Sequence, residues 1–332
     1  MEKTPIAVLG AGSWGTALAI LLAKNNTPTR LWGRDPVQLQ QMTEARCNQR
    51  YLPDIELPET LTLYTDLEAA VADIEDILIV VPSHTFADLI SQLSTCIAPE
   101  TRIAWGTKGL DNKTGRLLQT VVEDTLGKER ALAVISGPSF ALEVAKGLPT
   151  AVTLASNATN FAHNLLARLH NDHFRVYLNE DLLGVQLCGA IKNILAIATG
   201  ITDAFALGAN ARAALITRGL AEMTRLGSAM GANPATFMGL AGVGDLVLTC
   251  TGDLSRNRRF GILLGQGTSS KKAQRTIGQA IEGIYNAQQI INLAQQYLID
   301  MPISQQVLAI LEGKHTPQRA VQNLLSRAPT PE

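Results

Sequence analysis

The chain has 332 residues, too many for one domain of ordinary size, so about two are expected. Apolar residues make up 46%, charged residues 17% and aromatics only 5%, a mix that suits helices packed on a parallel sheet and argues against an all-β sandwich. With 28 basic and 29 acidic residues the formal net charge is −1, which gives no overall field for drawing in nucleic acid or an anionic membrane.

In chain order, Met1-Glu2-Lys3-Thr4-Pro5 lead directly into a strand at Ile6, leaving no room for a signal peptide. Residues 6–9 have the composition of a buried strand, and glycines with an apolar helical run over 16–23 follow. Further strands are predicted over 29–32, 61–64, 77–81, 102–105, 131–136, 151–155 and 174–178, with helical segments between most of them. Such alternation predicts a parallel, doubly wound α/β sheet of the Rossmann type. After Asp181 the pattern changes. Residues 182–201 form a long apolar run with Lys192 inside it, 212–230, 275–297 and 304–311 also read as helices, and strand signals nearly vanish. The expected plan is a Rossmann-type α/β domain over 1–185 followed by an all-α domain over 186–332, with an Ala/Pro-rich tail after Ser326 that frays.

No run approaches 18 uninterrupted apolar residues, so membrane insertion is not expected and a cytoplasmic location is. Cys47, Cys96, Cys188 and Cys250 lie far apart without a CxxC pair, which points to reduced thiols. His170 and His173 sit three apart near a helix end, but a zinc site needs three or four ligands. They read as surface or packing residues, and no metal is expected.

Gly10-Ala11-Gly12-Ser13-Trp14-Gly15 is a GxGxxG that follows a strand and opens a helix. Gly10 permits the tight turn, Gly12 lets the backbone approach a pyrophosphate, and Gly15 lets helix and strand pack closely. The helix N-terminus offers N–H groups and a partial positive charge to the phosphates. A lone GxGxxG is a weak signal; its place after the first strand of an alternating chain makes it a dinucleotide signature rather than an ordinary glycine-rich turn. No GxxxxGK[ST] occurs, which disfavours a P-loop NTPase. At the end of the second strand an NAD enzyme commonly carries an acidic residue for the ribose 2′-hydroxyl, whereas here Gly33 is followed by Arg34. A guanidinium suits a 2′-phosphate, so NADPH is the preferred cofactor. Asp35, before Pro36, reads as the N-cap of the next helix; were it to reach the ribose instead, NADH would serve as well.

Ligands of open α/β sheets bind beyond the carboxyl ends of the strands. The segments leaving those ends are Val81-Pro82-Ser83-His84, Gly106-Thr107-Lys108-Gly109 and Gly137-Pro138-Ser139-Phe140-Ala141. In the helical half, Lys192 and Asn193 interrupt an otherwise core-type helix, and burying an ammonium is costly unless it is paired or employed. Gly242-Val243-Gly244-Asp245 and Ser255-Arg256-Asn257-Arg258-Arg259 form a second polar feature. Serine, arginine and an amide side by side are good phosphate ligands, although on their own Arg256 to Arg259 would sooner be read as a solvated basic turn.

At these positions the sequence resembles the bacterial NAD(P)-dependent glycerol-3-phosphate dehydrogenases. The matching motifs are residues 10–16, 31–36, 137–141, 189–193, 242–246 and 255–257, and their order and spacing run from Ile6 to about Gly283. The resemblance implies reduction of dihydroxyacetone phosphate to sn-glycerol 3-phosphate, feeding phospholipid synthesis. It implies that Ser13, Trp14, Arg34, Lys108, Ala141, Arg256 and Glu282 line the cofactor. Lys108, Gly137, Ser139, Lys192, Asp245, Ser255, Arg256 and Asn257 would surround the substrate, with Lys192 as acid/base. One departure is Ala280-Ile281 before Glu282, where the family often has valines. The implied partner is a small phosphorylated triose, and a homodimer through an apolar helical face is open. A dehydrogenase of another hydroxy acid would share the plan without needing Ser255-Arg256-Asn257, and a substrate panel separates the two. A dinucleotide-binding redox sensor would not need a lysine in that helix, and absence of turnover would mark it.

Overall fold

The computed structural model describes residues 3–328. The end of the tail expected to fray, 329–332, lies outside the described residues, as do the first two positions of the leader reading. The chain divides into two compact units, Met1–Lys108 with Arg116–Val185, and Gly109–Gly115 with Gln186–Glu332.

The first unit runs β1 (Ile6–Leu9), α1 (Ser13–Lys24), β2 (Thr29–Trp32), α2 (Pro36–Ala45), β3 (Cys47–Asn48), β4 (Leu52–Glu56), β5 (Leu61–Tyr64), α3 (Leu67–Val71) and β6 (Asp76–Ile79). It continues with α4 (Ser83–Leu93), β7 (Arg102–Trp105), α5 (Leu118–Leu126), β8 (Leu132–Ser136), α6 (Ala141–Ala145), β9 (Thr150–Ser156), α7 (Thr159–Leu169) and β10 (Phe174–Asn179). Eight strands form one sheet in the order β10-β9-β8-β7-β6-β1-β2-β5. β1 lies between β2 and β6 and is fully buried, as its unbroken apolar composition requires of a strand covered on both faces. The strand order reverses around β1, which makes the carboxyl end of β1 the switch point where such sheets take ligands.

Two features differ from the expected parallel sheet. β9 pairs antiparallel with β8, and β10 follows β9 in parallel, so the last two strands run opposite to the other six. The reason is the connection: α6 has five residues, about 8 Å of helix, too short to carry the chain back along a strand of about 17 Å. By contrast α7, with 11 residues, makes the full crossover from β9 to β10. The second feature is the β3–β4 hairpin between α2 and β5, which was not predicted because two residues carry no periodicity.

The second unit runs α8 (Leu182–Ala204), α9 (Gly208–Ala229), α10 (Pro234–Phe237), a π-helical turn (Leu240–Gly244), α11 (Asp245–Thr251), α12 (Arg256–Gly265), α13 (Ser270–Ile277), α14 (Glu282–Gln296), α15 (Pro302–Leu311) and α16 (Pro317–Leu325). α8 is apolar all round and is the central helix: Val185, Leu187, Ala190, Ile191, Ile194, Leu195, Ala196 and Ile197 are all fully buried. By length and composition α8 and the stretch Pro234–Thr251 could each cross a membrane; 94% of the α8 window is buried inside the fold, against 44% of the other. α8 and α12 pack backbone to backbone. A Cβ on Gly200 would stand 2.0 Å from the Arg258 carbonyl oxygen, and one on Gly261 would stand 2.1 Å from that of Ile197. The single helix expected over 275–297 is two: α13 stops at Gly278, whose φ of 67° is left-handed, and α14 restarts at Glu282. The pair His170 and His173 forms no ligand set; His170 Nδ1 accepts from Val176 N at 3.3 Å. Among the described residues no group of three or more His, Cys, Asp or Glu is placed to hold a metal ion.

A buried carboxyl ties α9 to α15. Glu222 accepts from Ile303 N at 2.6 Å, Ser304 N at 3.2 Å and Ser304 Oγ at 3.0 Å, capping the first turn of α15. Burial outweighs these donors and pushes the Glu222 carboxyl up from 4.5 to about 7. Because the folded state holds this proton where the unfolded chain has lost it, stability declines as pH rises from about 4.5 to about 7 and is flat above. That displacement corresponds to about 3 kcal/mol. Glu222→Gln should therefore flatten the fall in Tm between pH 5 and pH 8; the same fall in both proteins would remove Glu222 as its source.

Candidate active site

In the first unit, the loop between β1 and α1 is shaped by contacts that exclude side chains. Gly10 has φ 126°, and a Cβ there would stand 2.4 Å from the Val80 carbonyl oxygen. A Cβ on Gly15 would stand 1.9 Å from the carbonyl oxygen of Gly10. Gly12, the N-cap of α1, faces the other way: nothing lies within 4 Å of its would-be Cβ. Strand and helix are thus drawn together below while the outer face is kept low, at the N-terminus of a 12-residue helix whose N–H groups and dipole favour an anion. These residues fit the diphosphate of a dinucleotide.

The first unit also carries Trp14, Arg34, Lys108 and Ala141, expected at the cofactor. The Trp14 indole Nε1 is buried without a hydrogen-bond partner among the described residues, and it lies 2.8 Å from where a Gly106 Cβ would be. Gly106, at the end of β7, makes room for that ring. Arg34 is exposed just beyond β2, and the Asp35 carboxylate accepts from Val37 N at 3.1 Å and Gln38 N at 3.3 Å, capping α2 as its place before Pro36 predicts. Burial first, and then the charge of Arg34, push the His84 imidazole below its usual value. Gly137 packs against the backbone of Val152 just beyond β8, and Ser139 Oγ donates to the Gly137 carbonyl at 2.8 Å, leaving its lone pairs to accept from a ligand. Ala141 opens α6, and Lys108, half-buried, ends the first stretch of this unit.

In the second unit, α8 carries Lys192 to the start of α11. Lys192 is 5% exposed and Asp245 1%. Nζ lies 2.5 Å from Asp245 Oδ1 and donates to Thr249 Oγ1 at 3.0 Å, while Thr249 donates to Asp245 at 3.3 Å. Asp245 and Thr249 are one turn apart on one face of α11, which lets a single helix offer two acceptors to one amine. A buried ion pair gains little net stability, so the Lys192–Asp245 pair beside an amide-rich cluster is a candidate for chemistry as well as for packing. Thr249 was not singled out in the sequence; its signal was the four-residue step from Asp245.

α12 presents the remaining groups. Ser255 is its N-cap, the hydroxyl accepting from Arg258 N at 3.2 Å and retaining its own proton to donate. Arg256 is half-buried and donates to Gln279 Oε1 at 3.3 Å. Asn257 Nδ2 donates to Asn193 Oδ1 at 2.9 Å, and its Oδ1 accepts from Gly283 N at 2.9 Å, next to Glu282 at the start of α14. Asn257 therefore joins α8, α12 and α14 as well as offering a second amide hydrogen. Arg258 is not a ligand candidate. It is buried and pairs with Asp203 and Asp253, each at 2.7 Å. The structure thus gathers Lys192, Asp245 and Thr249 into one cluster, and Asn193, Asn257 and Gly283 into another that begins at the next residue of α8.

Residues 5–162 match the family model of the NAD-dependent glycerol-3-phosphate dehydrogenase N-terminus, and residues 181–322 match that of its C-terminus. The glycerol-3-phosphate dehydrogenase [NAD(P)+] of Pasteurella multocida is 55% identical over 328 residues, 98% of this chain and 97% of that protein. That of Coxiella burnetii is 56% identical over 330 residues, 99% of each. The crystal structure of the Coxiella burnetii glycerol-3-phosphate dehydrogenase superposes with a TM-score of 0.96, covering 98% of this chain and 100% of that one. A ketopantoate reductase from Ralstonia eutropha, at 15% identity and a TM-score of 0.59, shares the fold alone. The chain belongs to the NAD(P)-dependent glycerol-3-phosphate dehydrogenases, a family of oxidoreductases.

Proposed function

We propose that this chain reduces dihydroxyacetone phosphate reversibly to sn-glycerol 3-phosphate, with Lys192 as the acid/base. The observation that carries the reading is the buried amine of Lys192, held by Asp245 at 2.5 Å and Thr249 at 3.0 Å beside a basic helix start. The dinucleotide, when bound, supplies or takes the hydride. Lys192 Nζ hydrogen-bonds the ketone oxygen, steadies the negative charge that develops there and delivers a proton to it; in reverse the amine accepts the proton. Asp245 balances the ammonium charge, and Thr249 fixes the direction of Nζ. Ser255 Oγ–H, the Arg256 guanidinium and the remaining N–H of Asn257 hold the phosphate, with Lys108, Gly137 and Ser139 completing the substrate's surroundings. Gly10, Gly12, Ser13, Trp14, Gly15, Arg34, Lys108, Ala141, Arg256 and Glu282 bind the dinucleotide. The product feeds glycerophospholipid synthesis in the cytoplasm.

NADPH is the preferred donor because Arg34 is exposed beyond β2 while Asp35 spends its carboxylate on the α2 N-terminus. Arg34→Asp should lower the ratio of kcat/KM for NADPH over NADH by about tenfold, the scale of a charge-assisted contact. An unchanged ratio would show that Arg34 does not read the 2′-phosphate. The direct test of the activity is consumption of NADPH, and separately of NADH, on addition of dihydroxyacetone phosphate; no consumption of either overturns it.

A further inference from the structure

The β3–β4 hairpin supplies none of the residues placed in the activity, yet Asn48 on β3 is completely buried against the glycine-rich loop. Pairing slips between Cys47 and Asn48, and both residues are buried. Asn48 Nδ2 donates to the Ala11 carbonyl at 3.0 Å and to Thr16 Oγ1 at 2.8 Å. Gln38 Nε2, from α2, donates to the same Ala11 carbonyl at 2.8 Å. Thr16 N in turn closes the first turn of α1 on the Gly12 carbonyl at 2.9 Å. One amide therefore grips the chain on both sides of Gly12.

Among the described residues no peptide bond is cis, so the Ala11 carbonyl and the Gly12 N–H point in opposite directions across one rigid plane. Drawing the carbonyl onto two amides turns the Gly12 N–H away from them, and nothing lies within 4 Å of a would-be Gly12 Cβ. Without those donors the peptide gains freedom to turn, and a carbonyl oxygen turned outward would repel a phosphate. We infer that Asn48, seconded by Gln38, is a positioning residue that sets the Gly10–Gly15 loop for dinucleotide binding. This rests on the reading of that loop as the dinucleotide site.

The experiment measures the Kd for NADPH by nicotinamide fluorescence on the full chain and on Asn48→Ala, Asn48→Asp and Gln38→Ala. Asn48→Ala should weaken NADPH by about tenfold, the scale of stranding a buried acceptor. Asn48→Asp should weaken it at least as much, since a carboxylate then faces the carbonyl. Gln38→Ala, at a half-buried side chain, should weaken it about threefold while Asn48 keeps its hold. The loss should fall on KM for the dinucleotide, with KM for dihydroxyacetone phosphate at saturating NADPH within about twofold of the parent. Tight binding by the parent together with Kd values within twofold in all three variants would overturn the inference. So would a joint collapse of dinucleotide Kd, substrate KM and Tm in the Asn48 variants with no effect of Gln38→Ala. If the parent itself fails to bind NADPH, the dinucleotide reading falls and the positioning role with it.

Discussion

Replacing Lys192 by alanine should lower kcat by about a hundredfold or more, the usual scale for a positioned acid or base, with the Kd for NADPH kept. Nζ sits where two acceptors from one turn of α11 converge. Truncation leaves Asp245 buried without its cation, which costs about 3–5 kcal/mol when one partner of a buried pair is removed. The double variant Lys192→Ala with Asp245→Asn replaces the stranded carboxylate by a neutral amide and separates loss of chemistry from loss of fold. Near-normal turnover in a folded variant would remove Lys192 from the mechanism. Lys192→Arg should fail to restore activity, because a guanidinium does not give up its proton at working pH.

Arg256→Ala should raise KM for dihydroxyacetone phosphate on the order of a hundredfold, as expected for losing charge-assisted contacts to a phosphate. The unphosphorylated ketone dihydroxyacetone, a poor substrate from the start, should be affected within about threefold, since it brings no anion to lose. Equal losses for both would refute the phosphate role. The contrast with Arg258 explains why one arginine of the run is assigned and not its neighbour. Arg258 is buried and held by Asp203 and Asp253, each at 2.7 Å, whereas Arg256 is half-buried at the start of α12. Arg258→Ala should consequently act on stability, by stranding Asp203, rather than on substrate recognition.

Local chemistry was legible in the linear chain wherever a few adjacent residues decide the geometry. Gly10 and Gly15 announced the tight turn and the helix packing, and a Cβ at either would meet backbone while one at Gly12 would meet nothing within 4 Å. Lys192 stood out as a charge inside an apolar helix, and Asp35 as a cap before Pro36. Where distant segments meet, the reading ran out. Thr249, the tie between Asn193 and Asn257, and the capture of Arg258 by Asp203 all depend on how α8 crosses α12 and meets α11. That crossing is set by Gly200 and Gly261, 61 positions apart, and neither carries any mark of it.

Periodicity and composition alone determined that this chain alternates strands and helices for half its length and then turns helical. Hydrophobic order along a segment is a local property, and burial follows from it. The reversal of β9, the interruption at Gly278 and the bracing of Ala11 by Asn48 were decided only in three dimensions. Each depends on whether a connection is long enough, or a buried polar group close enough, to satisfy a partner remote in sequence, and a distance in space is not written in the order of residues.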